Sequence, residues 1–90
     1  MTERRKQVTE LLQNVENGET AVIFEDLDDA ILGIDYENDG GPRLVYDKVK
    51  CIRSLMAQNG WEYPDAEEWF VFNVAGSQLG PQTPVFIETL

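Results

Sequence analysis

Val8, Leu11, Leu12 and Val15 recur at helical spacing, and the stripe predicts a helix over residues 2–17. Thr2 supplies an N-cap and Asn17-Gly18 a stop signal. Arg4, Arg5 and Lys6 stand at the end of that helix where the dipole disfavours cations. Residues 20–24, TAVIF, form a short β-prone run, and the charged EDLDD at 25–29 reads as a loop. The pattern then changes period. Ala30, Leu32, Ile34 and Tyr36 alternate with Ile31, Gly33, Asp35 and Glu37. Period two predicts a half-buried antiparallel strand with Ile34 and Tyr36 on its core face and Asp35 and Glu37 on its solvent face. Asp39-Gly40, between this run and RLVY at 43–46, predicts a hairpin turn.

Asp47 is placed to cap a second helix over 48–59, which Gly60 ends. Its apolar face is Val49, Ile52, Leu55 and Met56, with Cys51 beside it. Pro64, Asp65, Glu67 and Glu68 suit the first turns of a third helix, which continues through EEWFVFNVA to Gly76. Residues 84–88, PVFIE, form a last strand. The predicted order is α-β-β-β-α-α-β. That order implies an α+β fold with an antiparallel sheet of three to four strands and two to three helices on one face. Ninety residues suffice for one domain, with residues 1–18 a peripheral helix and 20–90 the α+β core.

Charge narrows the choice of partner. The net charge is −10, and residues 7–42 and 54–90 hold no base at all. Nucleic acid and anionic membrane are disfavoured, because both require clustered Lys and Arg. A basic protein surface is the complementary partner. One cysteine and a charged, leaderless N-terminus point to a reducing cytoplasm. The longest apolar runs are too short to span a membrane.

Four segments in order, Asp29-Ala30-Ile31-x-Gly33, Tyr46-Asp47-x-x-Lys50-Cys51-Ile52, Glu68-x-Phe70-x-Phe72-Asn73-Val74-x-Gly76 and Thr83-Pro84-Val85-Phe86, carry a resemblance. Together they resemble a group of small phage and prophage-type proteins of unassigned function. The resemblance covers residues 27–87 and leaves out the first helix. It implies an accessory protein working in a bacterial cytoplasm and brings no catalytic residues with it. Trp69 stands where the group's pattern leads one to expect Tyr.

Several groups of residues are candidates for function. Asp35, Glu37 and Asp39 with Gly40 match the first half of a calcium loop. Tyr46 then falls where the bidentate Glu belongs, and strands flank the loop instead of helices, so the hairpin turn is the stronger reading. Glu25, Asp26, Asp28, Asp29, Asp35, Glu37 and Asp39 place seven carboxylates in fifteen residues. On one strand Asp35 and Glu37 would lie ~6.6 Å apart. That is near twice the ~3.4 Å spacing of phosphates on a DNA strand, so the face could act as a DNA mimic. A solvated face that keeps the domain soluble is the plainer reading.

Chemistry has few candidates. There is no histidine, and Cys51 beside an apolar stripe reads as a core residue. No phosphate loop occurs, because Pro42 follows Gly40-Gly41, and no cofactor is implied. Asn73 is expected either to tie the third helix to the 76–83 loop or to line a pocket with Tyr46 and Thr83. Trp61 and Trp69 are candidate interface anchors. The sequence reading is therefore a non-catalytic acidic protein that engages a basic partner. Alternatives are a self-associating protein whose first helix pairs in a homodimer, and a calcium binder at the hairpin.

Overall fold

The computed structural model of the chain describes residues 2–90. Helix α1 spans Glu3–Leu12, strands β1 and β2 span Ile31–Asp35 and Arg43–Asp47, and α2 spans Lys48–Asn59. Helix α3 spans Tyr63–Phe70 and runs on as a π-helical turn, Val71–Ala75, before strand β3 at Val85–Ile87. The fold is α+β, with three helices and a three-stranded sheet in the order β1-β2-β3.

The sheet is mixed. β1 and β2 pair antiparallel with Asp35 opposite Arg43, and β2 and β3 pair parallel with Tyr46 opposite Phe86. Leaving β2, the chain passes through both α2 and α3 before β3. That long helical crossover is what parallel pairing requires. It explains why the last strand departs from the antiparallel expectation.

The first helix is shorter than its stripe suggests. Thr2 caps it by accepting from the Arg5 N–H, but it ends at Leu12. Residues 13–17 then curl back, with Asn17 at φ 63°. A Cβ on Gly18 would lie 1.9 Å from the Leu12 carbonyl oxygen, so only glycine allows this close return. Val8 and Leu12 are buried in the same cluster as the sheet and the other helices, so α1 is part of the core and not peripheral to it.

The β-prone run at 20–24 forms no strand. Its backbone is held by side chains instead. The Phe24 N–H donates to Tyr46 Oη at 2.9 Å, and Arg5 donates to the Phe24 carbonyl at 3.1 Å. Arg4 likewise donates to the Ile31 carbonyl. These tertiary contacts occupy two of the three bases at the unfavourable end of α1.

A register shift between Ile31 and Gly33 resets the alternation of β1. An extra residue on one strand turns the side chains that follow it to the other face. Ile31 is therefore fully buried and Leu32 exposed, while Ile34 packs on the core as the alternation predicts. Tyr36, expected beside Ile34 on the core face, is exposed because β1 ends at Asp35 and the chain turns there. Under the sheet lies an aromatic cluster. Tyr46 and Phe86 stack with centroids 5.5 Å apart, and Phe70 meets Phe86 edge-on at 5.0 Å. Phe24 closes the group at 5.9 Å from both Tyr46 and Phe86. Asp47 caps α2, and Gly60 ends it at φ 69°, as expected.

Candidate functional site

The acidic stretch 25–39 divides into two patches, 25–29 before β1 and 35–39 from its last residue onward. In the first patch, Leu27 is buried and Asp26 adopts a left-handed φ of 64°. The turn thereby carries Glu25, Asp26, Asp28 and Asp29 to the N-terminal end of α1, around a surface cleft of about 650 Å³ with Thr2 and Arg5. Asp28 is not open to a partner. Both its oxygens are engaged, Oδ1 by Arg5 at 2.9 Å and Oδ2 by the Thr2 hydroxyl at 2.7 Å. Burial acts to raise the Asp28 pKa, but the hydrogen bonds from Thr2 and Arg5 and the Arg5 charge outweigh it and hold the group low. Glu25, Asp26 and Asp29 form no ion pair among the described residues.

In the second patch, Arg43 Nε pairs with Asp35 at 2.9 Å across the antiparallel strands. That hydrogen bond, then one from the Glu37 N–H, lowers the Asp35 pKa. The Glu37 bond also shows that the chain has turned after Asp35. Glu37 lies beyond the strand end, so the expected row of two carboxylates on one strand does not form. The Asp39-Gly40 turn is likewise wider than a tight hairpin, with residues 36–42 connecting the strands. Asn38 holds this loop by donating to the Gly41 and Pro81 carbonyls, each at 2.8 Å. Among the described residues, no three Asp, Glu or Cys side chains converge as a metal site would need, Asp35, Glu37 and Asp39 included.

The expected pocket of Tyr46, Asn73 and Thr83 is not formed. Tyr46 is wholly buried, and burial pushes its phenol up to about 12. Thr83 caps its own loop, accepting from the Leu79 N–H and donating to the Gly80 carbonyl. Asn73 is exposed and donates to the Trp69 carbonyl four residues back, so it does not reach the 76–83 loop. The 76–83 loop is tied elsewhere, by Gln82 to residues 17–20 and 42. Gln82 is buried, donates to the Asn17 and Pro42 carbonyls at 2.8 and 2.9 Å, and accepts from the Thr20 hydroxyl. Cys51 is wholly buried, and burial, then the Asp47 charge, raises its thiol to about 12. It is a core side chain without thiolate character.

The tryptophans do come together. Pro64 and Asp65 set the first turn of α3, and Asp65, Trp69 and Asn73 then follow at intervals of four on one face. Trp61, just after the Gly60 stop, brings its ring to 5.9 Å from that of Trp69, tilted by 48°. These residues with Glu68 and Phe72 line a shallow cleft of about 350 Å³. Trp61 is half-buried against the core, whereas Trp69 and Phe72 are 41% and 75% exposed. Asp65 and Glu68 form no ion pair among the described residues, and residues 54–90 contain no base. Phe72 was legible only as part of a helical run. It lies in the π-helical turn between the buried Phe70 and Val74, on the side that faces solvent.

No protein-family model, no curated protein and no solved structure matches the chain.

Proposed function

We propose that the protein is a non-catalytic acidic binding module that engages a basic surface on another protein. One observation carries this reading: α3 and the π-helical turn after it present Trp69 and Phe72 to solvent beside Asp65 and Glu68, which form no ion pair among the described residues. Aromatic side chains in such a patch are the usual anchors of an interface. The surrounding charge selects a cationic partner and raises the rate of encounter. The acidic turn at Glu25, Asp26 and Asp29 is a second contact for the same partner. The narrower version is a phage-type accessory protein that acts in a bacterial cytoplasm as a DNA mimic against a nucleic-acid-binding protein. It is supported by the ordered resemblance over 27–87 and by the five carboxylates of 25–39 outside any ion pair among the described residues, Glu25, Asp26, Asp29, Glu37 and Asp39.

The test is affinity capture from a bacterial lysate on the immobilised protein, with elution by rising salt. The same capture is run on a Glu25→Gln, Asp26→Asn, Asp29→Asn variant. The partner should elute as salt rises and bind the variant less. Retention indifferent to both salt and the variant would overturn the reading.

A second reading is supported by a different surface. Leu11 and Leu32 are exposed along a groove between α1 and β1 that also contains Val8 and Ile34. Pairing of that groove with a second copy would make a homodimer. Sedimentation across a range of concentrations tests it, with a Leu11→Lys variant expected to remove any dimer.

A further inference from the structure

We propose that the α3 cleft is a recognition site for an arginine side chain of the partner. The inference rests on the reading of the protein as a binder of basic surfaces and gives that reading a site. An indole face attracts a cation lying within about 6 Å of its centroid, and Trp is the strongest of the aromatic residues in this respect. Trp69 is 41% exposed at the cleft, with Trp61 beside it as a half-buried wall. The two rings are 5.9 Å apart and tilted by 48°. A cation sandwiched between parallel rings needs roughly 7 Å, two contacts of about 3.5 Å each. The pair therefore cannot enclose a cation, which must instead lie flat on the outer face of Trp69.

The rest of the cleft suits a planar cation. Asp65 stands one turn before Trp69 on the same helix face, Glu68 lines the cleft beside it, and Asn73 stands one turn beyond. A guanidinium can stack on the indole through its plane while its N–H fork reaches a carboxylate. A lysine ammonium has no plane to stack, and a neutral side chain meets neither the charge nor the quadrupole. Phe72, the most exposed of the aromatic residues lining the cleft, gives the apolar neighbours of that arginine a surface to cover.

Asp65 also has an ordinary structural role, since an acid in the first turn of a helix is favoured by the dipole. That role does not account for Glu68, for the exposed Trp69, or for Phe72. Nor does any base on the chain occupy the cleft among the described residues.

The chain's only two tryptophans both line the cleft, so their fluorescence reports on it directly. The probes are blocked tripeptides, Leu-Arg-Leu and its lysine and citrulline counterparts. The arginine peptide should give a saturable change. The citrulline peptide should bind about tenfold more weakly, as it lacks the cation for both the indole and the carboxylates. Trp69→Leu, followed through the remaining Trp61, and Asp65→Asn with Glu68→Gln, should each weaken the arginine peptide about fivefold or more. These side chains are at the surface, and thermal unfolding confirms that each variant is folded. Equal binding of arginine and citrulline peptides would overturn the proposal and leave a plain apolar contact, compatible with the broader reading. Equal binding of lysine would overturn the guanidinium assignment, and no binding of any peptide would overturn the site. Salt-sensitive capture of a partner with no arginine preference would sink this inference alone. A specific arginine site without any salt-sensitive partner would sink the broader reading.

Discussion

Single side chains decide whether the acidic turn and the core hold together. Asp28 is the clearest case, because Arg5 and Thr2 both converge on it. Asp28→Asn is predicted to lower stability by roughly 1–2 kcal/mol, measured by urea unfolding at neutral pH. The dependence on pH has a definite sign. The folded pKa of Asp28 is lowered, so its contribution is present above the unfolded value of about 3.9 and fades as pH falls through the folded value. The gap between Asp28→Asn and the native chain should therefore be full at pH 7 and close in strong acid. A gap that widened on acidification would contradict the assignment. Tyr46 and Cys51 give two further checks. Tyr46→Phe leaves the Phe24 N–H without its acceptor and is predicted to cost about 1–2 kcal/mol in the same measurement. Cys51, with its thiol near 12, should resist alkylation at pH 8 in the folded protein and react once urea unfolds it.

At the scale of elements, loops that are distant in sequence are fastened to one another by side chains. Gln82 links residues 17–20, the loop before β2 and the segment before β3. Gln82→Ala is predicted to destabilise by roughly 1–3 kcal/mol, since the buried Pro42 carbonyl, the Asn17 carbonyl and the Thr20 hydroxyl each lose a partner. Gly40 sits in the same junction, where an added Cβ would come within 2.3 Å of the Pro81 side chain. Gly40→Ala should therefore separate the 36–42 loop from the 80–83 loop and lower the melting temperature. Neither contact was legible from local pattern. The Asp-Gly signal marked a turn correctly, but the loop's width depends on Asn38 reaching Pro81, forty-three residues away. Helix α2 stands at the other extreme. Its cap and glycine stop act within a few residues and were readable in advance, as was most of its apolar face, where Cys51 replaces Val49 in the core.

On the scale of the whole molecule, the net charge of −10 is set against only three ion pairs among the described residues. Two of these, Arg5–Asp28 and Arg43–Asp35, join parts of the chain that the fold brings together. The third, Lys48–Glu88 at 3.8 Å, lies at the surface and contributes little. The remaining acids repel one another, so moderate salt is predicted to raise the melting temperature modestly while it weakens binding to a basic partner. Opposite responses to salt in the two measurements would separate a charge that serves recognition from one that serves stability.

The sequence by itself determined the fold class, the caps of α1 and α2, the stop of α2 and the acidic character, because each depends on spacing within a few residues or on composition alone. Tertiary structure decided the rest. It set the direction of β3 through the helical crossover, the facing of β1 through its register shift, and the loss of a strand at 20–24 to side-chain hydrogen bonds. It also decided which acids are already engaged by Arg5 and Arg43. Most of all, it placed Trp61 against Trp69, a meeting of two helices' ends that no local period could specify.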